Sequence, residues 1–269
     1  MSLTARDLTI GRMPVEPDHG YIEALVARLR GFDIRGRGPM TDQRGIQTGY
    51  YKPSSGIARW TLDNADTADS LAIDVWNNHD ASIYGATTGA SGANQTYDTG
   101  EAYNFNGSGD YLEAPSLGSG FSSGFSAAVW IKPVFQGTSN SNHILSYESG
   151  SDNDTIFRFE QDDDSTGELD FGVRNGTDSF AEISYTGLKE DVWNHIVGTF
   201  DGVTVDLYHN GSHVGSTSAS LVNDSAKFFK IGARHTTQDY WEGNMDDLRI
   251  YIKGLSDSET NSLYTDGYI

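Results

Sequence analysis

The acidic pair whose spacing comes nearest to a catalytic arrangement is Glu168 and Asp170, in the run Glu168–Val173. Carboxylates on either side of a glycosidic bond can hydrolyse it, one as the acid and the other as the nucleophile or base. The acidic series stops at Asp170, because Gly172 and Val173 occupy the positions where a further carboxylate would continue it. We therefore predict no catalytic residues, and we interpret this run as a surface strand after the acidic turn at 162–164.

The aromatic residues with the best case for ligand contact lie in the loop 235–241. We predict that His235, Tyr240 and Trp241 bind a ligand, because aromatic rings stack on the apolar faces of sugars. For Trp241 the alternative is packing in the core beside the last strand. His209 and His213 flank the turn at 210–211 and should point to opposite faces, so a metal site there is not expected.

Composition indicates an acidic chain without disulfides. Its 269 residues include no cysteine, and 18 Lys and Arg stand against 38 Asp and Glu, for a net charge of −20. We expect no membrane insertion, because no apolar run approaches the roughly 20 residues of a membrane span, and no export signal, because the N-terminal residues contain neither an apolar core nor twin arginines. Nucleic acid is not expected as a partner, since phosphate binding needs a basic patch. We interpret the acidity as adaptation to high salt, with an ordinary acidic surface as the alternative.

Residues 1–57 are slightly basic and are predicted to form an arm for anchoring and oligomerisation. Within it, residues 18–30 have a helical apolar stripe that ends at Gly31, and a segment rich in Gly, Arg and Pro follows. A helix of about 13 residues is marginal on its own, so the stripe should bury against a partner. We expect a homo-oligomer and docking onto a larger structure; folding back onto the rest of the chain and a disordered leader are the alternatives. The stripe consists of Tyr21, Ile22, Leu25, Val26 and Leu29.

Residues 58–269 are predicted to form one all-β domain. Short runs that alternate apolar and polar residues are separated by Gly, Asn, Asp and Ser, with a hairpin turn at Asn210-Gly211. So many short strands joined by tight turns indicate an antiparallel β-sandwich of the jelly-roll type. A short helix should close the chain, with Ser256 as its N-cap and Glu259 completing a capping box.

Several sequence elements, in a consistent order, resemble those of the laminin-G-like jelly rolls in the concanavalin A-like lectin and glucanase superfamily. They are Trp60–Asp63, Phe105–Leu112, Phe125–Pro133, Trp193–Ser216 and Asp246–Tyr251. The likeness covers about residues 58–266 and implies a concanavalin A-like fold. Such domains are mostly recognition or structural modules and sometimes glycan hydrolases. The hydrolases carry three acids along one strand, and this chain lacks the third.

The resemblance also implies a structural Ca²⁺ site. Family members often bind the ion through the Asp that begins the last core strand, here Asp246, together with backbone carbonyls. Gly107 and the strand end near Asp63 could supply carbonyl oxygens, and Asp69 a side chain. Ca²⁺ takes about six to eight oxygen ligands, which such a set can approach. The alternative is that Asp246 caps a turn or pairs with Arg249.

Two functional interpretations follow. The first is a non-enzymatic structural or recognition protein on a virion surface, as a capsid turret, capsid decoration or tail-fibre-type protein of a halophilic virus. Residues 1–57 would bind other virion proteins, and the jelly roll would contact host-surface glycans. Laminin-G-like domains generally act outside cells, and a virion protein reaches that location without an export signal. The alternative is a glycan-binding module, or an inactive glycoside-hydrolase-like protein, of a halophilic microbe, located outside the cell or at its surface.

Overall fold

The structure is a computed structural model that describes residues 52–93, 100–135, 141–148, 155–162, 167–176, 179–221, 226–234, 239–267 and 269. Its compact unit spans Pro53–Ile269 and so includes residues 53–57, which the sequence assigns to the arm. Residues 1–51, with the predicted arm helix, lie outside the described residues. No helix in the described ranges is long and apolar enough to cross a membrane.

Strands are the main element of the described chain, with two 3-10 turns at Asn64–Asp66 and Phe121–Ser123 and one short α-helix near the end. The helix, α1, is Asp257–Thr265. The strands are β1 Gly56–Trp60, β2 Thr67–Ala68, β3 Leu71–Ala72, β4 Ala81–Tyr84, β5 Thr87–Ser91, β6 Glu101–Asn106, β7 Tyr111–Pro115, β8 Phe125–Pro133, β9 Asn142–Glu148, β10 Phe157–Gln161, β11 Glu168–Asn175, β12 Ser179–Thr186, β13 Asn194–Phe200, β14 Thr204–His209, β15 Ser212–Ser218, β16 Phe228–Ile231 and β17 Glu242–Tyr251.

The strands form two antiparallel sheets. Sheet 1 has the order β15-β14-β13-β8-β17-β6-β5, and β1 pairs with the second half of β17. Sheet 2 has the order β12-β11-β10-β9-β16-β7-β4-β3-β2. Neighbours that are distant in sequence, such as β16 between β7 and β9, require the crossing connections of a jelly roll. The predicted antiparallel jelly-roll sandwich is confirmed.

The core lies between the sheets and follows from strand alternation. In β10, Phe157 and Phe159 are fully buried and belong to the core, whereas Arg158 and Glu160 point to the other side of sheet 2. Phe157 stacks on Phe125 of sheet 1 with ring centroids 4.7 Å apart. Burying each such ring contributes roughly 1.5–3 kcal/mol, so aromatic packing between the sheets stabilises the sandwich.

Two predicted local motifs are confirmed. Asn210 and Gly211 both have positive φ, 49° and 75°, as a tight hairpin turn between β14 and β15 requires. The capping box at the start of α1 is complete, because the Ser256 side chain accepts from the Glu259 backbone and the Glu259 side chain accepts from the Ser256 backbone. The helix is then held to sheet 1 by the Tyr208 hydroxyl, which donates to Asp257 at 2.7 Å.

Candidate functional site

The outer face of sheet 2, which is the face away from the core, carries a row of ionisable side chains. Glu160 of β10 lies opposite Asp170 of β11 on one side and His143 of β9 on the other. Glu182 of β12 lies opposite Gly172, whose missing side chain leaves room for the Arg158 guanidinium. Strand register therefore brings together charged groups that are up to 39 residues apart in the chain.

These side chains line a polar pocket of about 340 Å³. That volume is within the range of small-molecule sites, roughly 300–1,000 Å³. Five carboxylates face two arginines and one histidine, so the pocket has an excess of negative charge. The lining residues are Ser141, His143, Arg158, Glu160, Asp162, Asp170, Glu182, Arg234 and Asp239.

The two central carboxyls of the pocket have opposite protonation tendencies. Burial raises the pKa of Glu160, but the hydrogen bond from His143 and the charges of His143 and Arg158 outweigh burial, so this pKa lies below its ordinary value. Burial raises the pKa of Asp170 to about 6; negative neighbours, Glu182 first, add to the effect, and a hydrogen bond with Ser184 opposes it. One ionised carboxylate therefore stands beside one that takes up a proton readily.

A strip of three tyrosines adjoins the pocket on the same face. Tyr84 stacks on Tyr111 with centroids 4.4 Å apart, and the Tyr240 ring lies 6.4 Å from that of Tyr111. The Lys230 ammonium lies 4.2 Å from the centre of the Tyr111 ring. Tyr240 also forms a backbone bridge with His143, which connects the tyrosine strip to the pocket. We define the tyrosine strip as Tyr84, Tyr111 and Tyr240.

Two of the sequence-based ideas about this face need correction. Besides Glu168 on its own strand, Asp170 has acidic neighbours across the sheet, because Glu160, Asp170 and Glu182 place carboxylate oxygens within 4.8 Å of one another. Trp241 is fully buried, packs edge-on against Phe105 and donates its indole N–H to Gln161 at 3.0 Å. Trp241 therefore cannot stack on a ligand. Tyr240 is half-buried and belongs to the tyrosine strip, and His235 lies outside the described residues.

Sequence reasoning missed Tyr84, Tyr111 and most of the pocket. Tyr84 lies in the short strand β4, and nothing local in the sequence marks it as a partner of Tyr111. The available signal was the outward position of Tyr111, Arg158, Glu160 and Asp170 in alternating strands. Without the strand order, that signal does not tell which of these residues meet.

The predicted calcium residues lie apart from the pocket. Asp246 is fully buried; its Oδ2 accepts the Ala93 N–H at 2.7 Å, and its Oδ1 is a buried atom without a hydrogen-bond partner among the described residues. Burial raises the pKa of Asp246 well above its ordinary value, and the charges of Asp247 and Asp63 add to this, so Asp63 lies near it. A buried carboxylate with an unsatisfied oxygen suits a hard cation. Calcium at Asp246 stays a prediction.

The other two predicted calcium ligands, Asp69 and Gly107, lie in turns between strands. Asp69 is exposed in the turn between β2 and β3, with φ of 52°. Gly107 has φ of 68° in the turn between β6 and β7, a backbone conformation that glycine adopts easily. Within the described residues, only Glu160, Asp170 and Glu182 bring three acidic or histidine ligands so close.

Arg249 pairs with Asp247. The alternative from the sequence was a pair between Arg249 and Asp246, the preceding residue. Asp247 is 3% exposed and accepts from the Arg59 side chain at 2.7 Å and from the Arg249 Nε at 2.9 Å. Burial opposes the charge of Asp247, but Arg249 and Arg59 outweigh it and lower its pKa to about 2. Arg249 also donates to the Gly267 carbonyl, so this network ties β1, β17 and the chain segment after α1 together.

Comparison with known proteins gives a family and a set of similar structures. A family model described as the concanavalin A-like lectin/glucanases superfamily matches residues 106–261. No curated protein sequence matches significantly. Similar solved structures include the receptor-binding domain of the botulinum neurotoxin C/D mosaic serotype, with a TM-score of 0.60 and 16% identity over 79% of this chain and 51% of that one.

Two further structures give the same result. The botulinum neurotoxin type G receptor-binding domain has a TM-score of 0.62 and 14% identity over 80% of this chain and 52% of that one. The binding domain of Paraclostridial Mosquitocidal Protein 1 has a TM-score of 0.61 and 17% identity over 79% and 52%. The chain thus spans about half the length of these structures, and identities this low show a shared fold.

Proposed function

Because the chain belongs to the concanavalin A-like lectin/glucanase superfamily, we propose that it is a non-catalytic module that binds a glycan on the outer face of sheet 2. The observation that carries this proposal is the tyrosine strip beside a polar pocket on one sheet face. The two features meet at Tyr240 and His143.

The chemistry of this surface suits a sugar. A pyranose ring has an apolar C–H face that packs on aromatic rings, and Tyr84 offers such a ring with 43% exposure. Its hydroxyls both donate and accept hydrogen bonds, and the pocket presents carboxylate acceptors next to arginine donors. An acyclic apolar ligand would leave those charged groups unmatched.

The state of the central acids favours binding over catalysis. Glu160 accepts from the His143 Nε2 at 2.6 Å and lies 3.0 Å from the Arg158 Nε, so each of its oxygens already has one partner and keeps a second lone pair. A nucleophile or a base would have to use a remaining lone pair while both partners stabilise the negative charge, which makes it less reactive. The similar structures are binding domains of botulinum neurotoxins and of a mosquitocidal protein, which supports a binding role here as well.

Recognition of host-surface glycans by a virion protein of a halophilic virus is the finer form of the proposal. It rests on the acidity of the chain and on the predicted anchoring role of residues 1–57. The extracellular glycan-binding module of a halophilic microbe is the alternative. Both versions use the same surface of sheet 2.

A glycan array probed with the full chain tests the proposal. We expect binding to a defined set of glycans that weakens in Tyr84→Ala and Tyr111→Ala and persists in Tyr84→Phe and Tyr111→Phe, which keep the rings. An aromatic contact of about 0.5–1.5 kcal/mol corresponds to a loss of about two- to twelvefold. Absence of any bound glycan, or binding that the alanine variants leave unchanged, would reject this site. Release of cleaved sugar from a bound glycan would reject the non-catalytic assignment.

A further inference from the structure

The base of the pocket contains an unusually close group of acids. Glu160, Asp170 and Glu182 come from the three adjacent strands β10, β11 and β12, and one oxygen of each lies within 4.8 Å of the others. Carboxylates repel one another when they are ionised at this separation, so a cation among them would be stabilising. We propose that Glu160, Asp170 and Glu182 bind a hard divalent cation, Ca²⁺, in the pocket.

A buried atom of Asp170 gives independent support. Asp170 is 4% exposed, and its Oδ1 is buried without a hydrogen-bond partner among the described residues. Buried polar atoms of folded proteins nearly always have a partner, so this oxygen is open to a ligand, either a cation or a water molecule. Because Asp170 also lines the pocket, that ligand can reach it from the open side.

The charge of the group corresponds to one divalent ion. The three carboxylates together carry three negative charges when ionised, and the Arg158 side chain contacts Glu160 at 3.0 Å and Glu182 at 2.9 Å. Arg158 therefore neutralises one charge and leaves an excess of two. Asp162 adds further negative charge around the pocket, whereas Asp239 is paired with Arg234 at 3.5 Å.

The chemical type of the ligands, and the side chain that orients one of them, favour calcium over softer metals. All three donors are carboxylate oxygens, the ligands of Ca²⁺, Mg²⁺ and Mn²⁺, and neither sulfur nor a free histidine nitrogen is among them. His143 orients Glu160 through a 2.6 Å contact, as outer partners of metal-binding carboxylates commonly do. The pocket of about 340 Å³ leaves space for water to complete the coordination. In the proposed function, glycan hydroxyls would replace some of that water, and only this last step rests on the proposed function.

Calorimetric titration of the full chain with CaCl₂ tests the site. A background of about 0.5 M KCl suppresses nonspecific accumulation of cations around an acidic protein. We expect saturable binding that weakens at least about tenfold in Asp170→Asn and Glu182→Gln, because each removes a direct ligand. Asp191→Asn is the charge-matched control, since the Asp191 side chain is 80% exposed and pairs only with Lys132 in the described contacts; it should bind calcium as the wild type does.

The Glu182 side chain is 33% exposed, so Glu182→Gln should fold normally, and melting in chelator checks this for every variant. Unchanged calcium binding in both pocket variants would overturn the proposal, and so would a wild-type chain that binds none. Calcium binding that remains in both variants would then belong elsewhere, for example to Asp246. The titration contains no glycan, so its failure leaves the glycan proposal intact, and an empty glycan array leaves the titration result intact.

Discussion

Asp246 and Asp247 are neighbours in the chain, yet their buried carboxyls have opposite surroundings. The Asp247 carboxylate accepts from Arg59 and Arg249, and the pKa of its carboxyl is about 2. The Asp246 carboxylate turns towards the N–H of Ala93, and its pKa lies well above the ordinary value. The bulge of β17 between Asp246 and Arg249, with φ of 47° at Asp247, produces this separation.

The first prediction concerns Asp247. Asp247→Asn should lower the free energy of unfolding by about 3–5 kcal/mol, because it removes the buried carboxylate that both Arg59 and Arg249 contact. Asparagine tolerates the left-handed backbone, so strain does not add to the effect. Urea unfolding measures the change, with Asp191→Asn as the control, since Asp191 also has positive φ but is exposed. Equal stability of the two variants would contradict a structural role for the network.

The second prediction concerns calcium at Asp246. In a Glu182→Gln background, which weakens the proposed pocket site, calcium should raise the melting temperature of the chain relative to chelator. A ligand at a hundredfold excess over its Kd adds about 2.7 kcal/mol to the apparent stability. Asp246→Ala should abolish that response, since Asp246 supplies a fully buried carboxylate. An identical calcium response with and without Asp246 would place the ion elsewhere.

The third prediction concerns salt. With a net charge of −20, the chain should gain stability between dilute buffer and molar NaCl. The Debye length falls from about 10 Å at 0.1 M to about 3 Å at 1 M, so repulsion among surface carboxylates weakens strongly. The salt should be NaCl and not a sulfate. Sulfate is excluded from protein surfaces and stabilises folded chains in that way, which is unrelated to charge screening. A melting temperature that stays flat across this range would favour an ordinary acidic surface over adaptation to high salt.

The fourth prediction concerns pH. Burial lowers the pKa of His195 to about 3; the positive charges of Arg249 and His209 add to this, and Asp247 opposes it. Above pH ~6.5 His195 is neutral in both the folded and the unfolded chain. Below this pH, His195 takes up a proton in the unfolded chain but not in the folded chain. The contribution of His195 to stability should therefore fall as the pH drops from about 6.5 towards 3, whereas the raised pKa of Asp170 acts in the opposite direction. Between pH 7 and 5 this loss is about 2 kcal/mol.

The test compares urea unfolding at pH 7 and pH 5. His195→Gln should show the smaller loss of stability at pH 5, because it removes the titrating group. His213→Gln should behave as the wild type does, since the His213 side chain is 41% exposed on the β14–β15 hairpin. The same pH dependence in all three proteins would mean that His195 takes up its proton in the folded state.

The fifth prediction concerns the arm. Removal of residues 1–55, so that the chain starts at Gly56, should convert an oligomer into a monomer in high salt, measured by light scattering. The apolar stripe at 21–29 is the proposed contact, and each side chain it buries contributes roughly 1.5–3 kcal/mol. If the full chain and the truncated chain have the same oligomeric mass, the arm does not drive assembly.

The amino-acid sequence by itself determined the fold class and the local motifs. Strand alternation, the Asn210-Gly211 turn and the Ser256–Glu259 capping box depend on residues a few positions apart, so local steric preferences and hydrogen bonds define them. Tertiary structure alone decided the site. Glu160, Asp170 and Glu182 meet only because β10, β11 and β12 pair in one register, and a shift of one residue would send their side chains to the other face. The same holds for Trp241, whose burial depends on how the two sheets pack and not on its neighbours in the chain.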